Sequence, residues 1–356
     1  MNIQSITLVV TEDCNFDCDY CYKQKNYDRM KFATAKKAMA FFLPFLSDHY
    51  NLNFYGGEPL LCFDLIEETV SFLEQKNKEY GKKPQYSLTT NGSLITDEII
   101  KALETHKFSV VYSFDGTAQE IHRKDGSFDL AVSNINKILE RPNIGLEVNS
   151  VFTPESVGHI SDSLALIMNL GVKNINLSLS LFRPWNTLSV ERLGEELAKL
   201  RGILVSQYLK SKDIPVMNFR KDGTEGFFYC AGGQDRMAVT SEENVWGCDL
   251  FADYFRGKEK RPEYQDYFFG NLDTFVKNYK KVYPKISSNY AELSMDNFAT
   301  SQRACLFCSN LEDCIVCPVA AAFSGVPIGE IPPFVCDIQK IKIAERQKFL
   351  GEIIKY

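Results

Sequence analysis

Ser5-Ile6-Thr7-Leu8-Val9-Val10-Thr11 runs directly into Glu12-Asp13-Cys14-Asn15-Phe16-Asp17-Cys18-Asp19-Tyr20-Cys21-Tyr22, a β-type apolar run followed by three thiols at C-x3-C-x2-C spacing. Iron–sulfur clusters are usually held by four Cys thiolates and structural zinc by four N/S ligands. Three close thiols with no nearby His therefore point to a cluster with one metal left uncapped. The triplet alone also fits a zinc site or three unrelated core cysteines, since free Cys is among the most buried residue types. Its place at the end of a strand favours chemistry, because reactive groups in α/β barrels sit at the C-terminal ends of the strands.

Outward from this loop the chain alternates. Residues 33–46 read as helix, ended or kinked at Pro44. Leu52-Asn53-Phe54-Tyr55 is a short strand entering Gly56-Gly57-Glu58-Pro59. The two glycines let backbone approach a ligand, and the carboxylate can accept hydrogen bonds from an ammonium group. Leu65, Ile66, Thr69, Val70 and Leu73 share one helix face. Strands over 85–90, 109–114, 144–152 and 174–181 alternate with helices over 97–106, 128–139 and 160–170, the first of these capped by Thr96. With the first two strands this gives six β/α units, a parallel sheet with right-handed crossovers, either open and doubly wound or a partial barrel. A long helix over 189–212 carries Val190, Leu193, Leu197, Leu200 and Leu204 on one stripe. Ile214-Pro215 breaks it and marks the expected division between residues 1–213 and 214–356.

A 356-residue chain with 45% apolar and 24% charged residues has the composition of a soluble globular protein. Its net charge of -6 argues against a nucleic-acid partner. No run reaches the roughly 18 apolar residues of a membrane span, and the N-terminus lacks the pattern of a secretory signal, so a cytoplasmic location is expected. Eleven cysteines in such a chain call for metal or redox use before disulfides. Three lie in the opening loop, Cys62 stands alone, and Cys230, Cys248, Cys305, Cys308, Cys314, Cys317 and Cys336 follow residue 229. The paired C-x2-C knuckles at 305–308 and 314–317 suit zinc or iron–sulfur about equally. Cys62 reads as a small buried apolar residue, and the four His are scattered.

Cys14, Cys18 and Cys21, with Tyr22 after the last, resemble the signature of the radical S-adenosylmethionine (SAM) enzymes. The resemblance implies a [4Fe-4S] cluster on these thiolates whose fourth iron chelates the amino and carboxylate groups of SAM. Reductive cleavage of SAM would then give methionine and a 5'-deoxyadenosyl radical that abstracts hydrogen from substrate, while the protein positions the reactants and excludes water. It also selects the partial (β/α)6 barrel over the open sheet. Gly56-Gly57-Glu58 is similar to the family's GGE motif, which implies that these three residues meet the SAM amino group. Ser113-Phe114-Asp115-Gly116, Ile121-His122-Arg123 and Gly126-Ser127-Phe128 resemble a further stretch of peptide-modifying members, although the chain is shorter than that pattern between His122 and Gly126. Carried over, Ser113 contacts the ribose or methionyl part and Arg123 meets the carboxylate, for which a guanidinium fork is well shaped. Asn91 and Asn149, at strand ends, are candidate ribose contacts or buried amides serving the fold.

The late cysteines resemble the seven-cysteine SPASM module, which implies two auxiliary [4Fe-4S] clusters. By position Cys230, Cys248 and Cys317 would hold the first, with an open iron, and Cys305, Cys308, Cys314 and Cys336 the second. Two departures stand out: the gap from Cys314 to Cys317 is one residue short, and Glu243 occupies the place of a usual glycine. Asp249, next to Cys248, matches a substrate-proton acceptor of sulfatase-maturing relatives and is a candidate general base, a capping Asp being the plain alternative. The implied function is maturation of a ribosomally made precursor peptide by thioether or carbon–carbon crosslinking. A formylglycine-forming sulfatase maturase is the alternative, disfavoured by the lack of an eighth module Cys. A non-enzymatic iron–sulfur or zinc protein, for binding or electron transfer, is a third reading, against which the GGEP turn argues. Expected partners are the peptide, a flavodoxin- or ferredoxin-type reductant and, because only thirteen residues precede Cys14, a separate leader-recognition protein or direct recognition by the barrel.

Overall fold

The computed structural model describes residues 1–221, 228–294 and 305–354. β1 (Ile3–Thr11) opens the chain and delivers the cysteine loop. After the loop comes α1 (Phe32–Phe42), which ends near Pro44 as expected, the chain tightening there into a single 3-10 turn over Leu43–Phe45. β2 (Leu46–Gly56) starts earlier than its apolar core predicts, because its outer half, Ser47-Asp48-His49, is polar and largely exposed. α2 (Phe63–Tyr80) stops at Gly81, whose left-handed conformation caps it. β3 (Lys83–Thr90) is followed by α3 (Asp97–Thr105), where Thr96 Oγ1 accepts from the Ile99 N–H at 3.3 Å, the cap read from sequence. β4 (Ser109–Ser113), α4 (Gln119–His122), α5 (Ser127–Leu139), β5 (Gly145–Phe152), α6 (Ile160–Asn169), β6 (Ile175–Leu179) and α7 (Thr187–Ser211) complete the alternation.

β1 to β6 pair in chain order, every neighbour parallel, with Leu8 beside Phe54 and Tyr112 beside Val148. This is the partial six-unit α/β barrel expected. The period of two decides its faces: on β5, Val148, Ser150 and Phe152 are buried beneath the helices, while Glu147, Asn149 and Val151 are half-buried on the other face. Leu8, Phe54, Leu88, Val110, Ile135, Leu164 and their neighbours form one continuous apolar core.

The later residues rejoin this frame. β7 (Arg236–Thr240) lies parallel to β1 on its far edge, with Leu8 beside Val239, and β8 (Asn244–Trp246) follows it antiparallel. After α8 (Asp249–Phe255) and α9 (Tyr264–Tyr267), β9 (Phe268–Asn271) pairs with β8 and closes a nine-stranded sheet in the order β6-β5-β4-β3-β2-β1-β7-β8-β9. α10 (Leu272–Ala291), α11 (Pro318–Ala322) and α12 (Pro333–Ile353) end the chain, α12 packing along α7 with Arg201 Nε donating to Glu345 Oε2 at 2.8 Å. The sheet and core therefore run on through the junction placed at residue 214, and a small second core of Leu311, Val316, Ala321, Ile331 and Val335 gathers the cysteine-rich end. Among the described residues no helix is long and apolar enough to cross a membrane.

Candidate cofactor site

The cysteine loop is seated on the turn after β2. The Gly57 N–H donates to Thr11 O at 2.9 Å and the Glu58 N–H to Asp13 O at 2.8 Å. A Cβ on Gly56 would stand 2.1 Å from Thr11 O and one on Gly57 would stand 2.2 Å from Asp13 O, so both glycines are demanded by the approach of the two loops. Cys14, Cys18 and Cys21 border a cavity of about 310 Å3 that Gly56, Gly57, Asn91, Ser113, Arg123 and Asn149 also line. The structure thus brings together all the expected cofactor residues of the barrel except one. Three free thiols at the rim of a cavity that Lys23 and Arg123 also line suit a cluster with one open metal facing a ligand. Burial pushes the Cys18 thiol up to about 11 and raises Cys14 as well, so metal binding there must release protons.

Glu58 is the exception. Its carboxylate is fully buried and accepts from Thr90 Oγ1 at 2.7 Å, the Asn91 N–H at 2.7 Å and the Leu60 N–H at 3.1 Å. It fastens the GGEP turn to the end of β3 and does not border the cavity, which corrects the expectation of a direct ammonium contact and leaves the main chain of Gly56 and Gly57 there. Burial, against these three hydrogen bonds, pushes Glu58 up to about 7.

Arg123 lines the cavity but is already paired. Its Nε and Nη2 donate to Asp115 Oδ2 and Oδ1 at 2.7 and 3.2 Å, so the fork expected for a ligand carboxylate is taken by a buried aspartate. Asp115 also accepts from Tyr20 O–H at 2.7 Å and the Val151 N–H at 2.8 Å, and the guanidinium lies 5.4 Å over the Tyr20 ring. Tyr20 stands between Cys18 and Cys21, so this group clamps the loop onto the end of β4. On its other side Asp19 Oδ1 lies 2.8 Å from His122 Nδ1, at an angle poor for a hydrogen bond, and Asp19 O accepts from Arg183 Nη2 at 2.8 Å. Asn91 Nδ2 reaches Asn15 Oδ1 at 2.9 Å, which makes it a brace of the loop. Among the described residues Ser113 Oγ and Asn149 Nδ2 make no hydrogen bond, leaving them to a ligand.

The C-terminal half holds the loop too. Lys23 Nζ is 3.1 Å from Glu12 Oε2 and 2.9 Å from Asp253 Oδ2 on α8, all three side chains buried, while Arg256 Nη2 reaches Glu12 Oε1 at 2.8 Å. Burial opposes the Lys23 charge, but Asp253 and Glu12 beside it hold its pKa above the usual lysine range. Tyr22 and Tyr55 share a 2.8 Å hydroxyl contact next to it. Sequence reading missed Tyr20, Lys23, Asp115 as a clamp, and Asp253; the one local signal was the run of polar residues inside the thiol motif.

The late cysteines fall into two groups. Cys317 acts on the titration of Cys230 and of Cys248, and Cys305, Cys308 and Cys336 act on that of Cys314, so each of these thiols has cysteine neighbours. Among the described residues no three metal-binding side chains converge on a single ion. Gly232, Gly233 and Gly247 close around the Tyr290 ring, whose hydroxyl accepts from the Gly247 N–H at 3.0 Å and donates to Tyr267 O at 2.8 Å, fixing the turns that carry Cys230 and Cys248. Glu243 adopts φ 63°, the left-handed conformation for which glycine is suited, and keeps it while Thr34 Oγ1 donates to its carboxylate at 2.6 Å. Asp249 Oδ1 is 3.6 Å from Cys248 Sγ. Cys62 is buried, its Sγ 3.9 Å from Val10 O, as an apolar residue would be.

Known proteins resemble this chain. The profile described as "Radical SAM superfamily" matches residues 8–167. An uncharacterized protein, MJ0907 of Methanocaldococcus jannaschii, is 30% identical over 252 residues, covering 69% of this chain and 85% of that protein. The radical SAM cyclopropyl synthase TigE of Paramaledivibacter caminithermalis is 25% identical over 284 residues, 71% of this chain and 59% of its own length. Among solved structures, native anSMEcpe with bound AdoMet and Cp18Cys peptide superposes with a TM-score of 0.77 over 100% of both chains at 17% identity, a likeness of fold.

Proposed function

Because this chain belongs to the radical SAM superfamily, we propose that it is a SPASM-type enzyme that cleaves SAM reductively and abstracts hydrogen from a polypeptide, forming a thioether or carbon–carbon crosslink. The single observation that carries the reading is the convergence of Cys14, Cys18 and Cys21 on a cavity with unpartnered Ser113 and Asn149 groups. When bound there, a [4Fe-4S] cluster and SAM supply one-electron cleavage of the sulfonium and the hydrogen abstraction that follows.

The protein's share is position and exclusion of water. Gly56 and Gly57 offer close main chain to the methionyl end, Ser113 and Asn149 offer polar contacts to the ribose, and the clamps on Tyr20, Asp19 and Lys23 hold the thiols in register. Cys230, Cys248 and Cys317, and separately Cys305, Cys308, Cys314 and Cys336, are proposed to hold two auxiliary clusters that accept the electron left after abstraction. Asp249, beside the first set, is the proposed base for a substrate proton. Residues 1–213 and 214–356 are proposed as the barrel and the auxiliary-cluster unit. A polypeptide substrate is supported by the peptide bound in a fold neighbour that covers the whole chain, and carbon–carbon bond formation by the cyclopropyl synthase relative. A cytoplasmic setting and a flavodoxin- or ferredoxin-type reductant fit such chemistry, with a separate leader-recognition protein as a further proposed partner.

The test is iron and sulfide content of anaerobically reconstituted protein together with dithionite-driven 5'-deoxyadenosine release. About twelve irons are expected for three clusters, falling by about four, with loss of 5'-deoxyadenosine, in a Cys14/Cys18/Cys21 triple Ala variant. Zinc in place of iron, or release that survives the triple substitution, would refute the proposal.

A further inference from the structure

A second cavity, of about 360 Å3, opens where β6 ends the partial barrel. It lies between the lumen side of β6, the segment following α7, the loop before Cys314 and one face of α12. That face is unusual. Gln339, Lys342, Ile343 and Arg346 stand at i, i+3, i+4 and i+7, the spacing of a single helical stripe, and all four line the cavity. A stripe turned into the protein is ordinarily apolar; here it presents an amide and two cations within a chain whose net charge is -6.

The cations are unequally served. Arg220, which also lines the cavity, is engaged by carbonyls, donating to Ile214 O at 2.8 Å and Lys173 O at 2.6 Å. Arg346 donates through Nη2 to Asp313, which also accepts from Gln347 Nε2 at 3.0 Å. Lys342, half-buried, has no carboxylate partner among the described residues, and the charged groups that reach it are Cys314 and Arg346. The amide of Gln339 makes no hydrogen bond among the described residues either. Among the described residues the Lys342 ammonium, the Gln339 Nε2 and the remaining Arg346 nitrogens are donors without an acceptor, the Asp313 carboxylate beside them being taken by Arg346 Nη2 and Gln347 Nε2.

The cavity is joined to the cofactor site by a polar row inside the barrel. Asn149 Oδ1, on the cofactor side, accepts from Asn176 Nδ2 and Ser178 Oγ, each at 2.8 Å, and Asn176 in turn meets Asn218 Nδ2 at 3.5 Å. Asn149 and Ser178 line the first cavity, and Asn176 and Asn218 line the second. The two cavities therefore lie along one polar wall.

We propose that the lateral cavity is a carboxylate subsite: Lys342, with Gln339 and Arg346 beside it, anchors an Asp or Glu side chain of the polypeptide whose reacting residue lies in the cofactor cavity. This rests on the polypeptide reading above and adds a sequence requirement to it. The substrate carries an acidic residue at a fixed offset from the modified one.

The experiment is a binding titration of reconstituted enzyme with acetyl-Gly-Gly-Glu-Gly-Gly-amide and its Gln counterpart, followed by saturation-transfer NMR. The Glu probe should bind at least about tenfold more tightly, as a charge-assisted hydrogen bond predicts. Lys342→Met should bring the two probes within about twofold, Lys342→Arg should keep the preference, and Lys342→Met should melt no lower than wild type, since it removes a cation with no carboxylate. If Lys342→Met fails to fold, Lys342→Gln reads the same preference. No preference in the wild type, or a preference untouched in Lys342→Met or Lys342→Gln, overturns the subsite. Free glutarate binding as tightly as the Glu probe overturns the polypeptide source, assigning the cavity to a small acid. Failure of the functional reading is seen separately, as 5'-deoxyadenosine release that no polypeptide stimulates, whereas failure of the anchor leaves that release intact.

Discussion

Lys23→Met isolates the charge that joins the cysteine loop to the C-terminal half. The ammonium is shared between Glu12 and Asp253 at 3.1 and 2.9 Å, with all three side chains at 5% exposure or less. Removing it affects the two carboxylates unequally. Glu12 keeps Arg256 Nη2 at 2.8 Å, whereas Asp253 is left with acidic neighbours, Glu12 and Asp249. An uncompensated buried carboxylate costs about 3–5 kcal/mol, which for a chain of this size lowers the melting temperature by about 4–7 °C.

The pH dependence gives the sign. Burial, with Glu12 adding to it and Lys23 opposing, pushes Asp253 up to about 6, above the unfolded aspartate value. The fold therefore binds a proton more tightly than the unfolded chain between roughly pH 4 and 6, and this group's contribution is fully present below that window and lost as pH rises through it. Without Lys23 the folded value rises further, so the deficit of Lys23→Met should be largest near pH 8 and shrink toward pH 6 as Asp253 takes up a proton. Anaerobic urea unfolding followed by the fluorescence of Trp185 and Trp246, repeated across that pH range, measures it. Adding Asp253→Leu should recover at least about 2 kcal/mol, the coupling expected of contacting groups. A deficit below about 1 kcal/mol at pH 8, or one that does not change with pH, would refute the assignment of a shared buried charge.

Gly57→Ala places a Cβ 2.2 Å from Asp13 O and should prevent the loops from closing, read as loss of the barrel cluster's iron with the late cysteines still loaded. Glu58→Gln brings an amide against three donors and should destabilise by about 1–3 kcal/mol. Because Glu58 is raised to about 7, its contribution in the wild type falls as pH rises from about 4.5 to 7, and the variant should lose that slope in urea titrations. Tyr290→Phe removes two hydrogen bonds and should cost about 1–3 kcal/mol, whereas Tyr290→Ala leaves a cavity beside Gly233 and Gly247, costs about 3–5 kcal/mol and should reduce iron bound at Cys230, Cys248 and Cys317.

The barrel was legible because each of its units states itself locally. Strand periodicity, the Thr96 cap and the break at Pro44 lie within a few residues of what they specify. The same locality explains what was hidden. β7 is defined by its pairing with β1, Ser5 beside Arg236, and no short-range pattern announces a partner so far along the chain. Glu58 and Arg123 were legible as residues, but their hydrogen-bond partners were not. A carboxylate after two glycines and a guanidinium after a barrel strand look ligand-facing, but Thr90, Asn91 and Asp115 take them first. The departure at Glu243 was visible as a missing glycine, while the backbone it would have served is retained at φ 63°. The conformation belongs to the turn between β7 and β8, and a side chain held by Thr34 offsets about 1 kcal/mol of left-handed strain.

The clamps on the cysteine loop divide by origin. Asp115, Arg123 and His122 come from the barrel, whereas Asp253 comes from α8, which begins at Cys248's own neighbour Asp249, and Arg256 directly follows that helix. The loop is therefore held by both halves at once, and on α8 the same helix follows a proposed auxiliary ligand and carries the carboxylate that pairs with Lys23, two residues beyond Cys21. A shift of α8 on loading or emptying Cys230, Cys248 and Cys317 would be transmitted to Cys21 through a buried ion pair, which resists displacement because separating its charges in a dry interior is costly. That physical connection, rather than proximity of the thiols themselves, is what ties the cysteine loop to the C-terminal half.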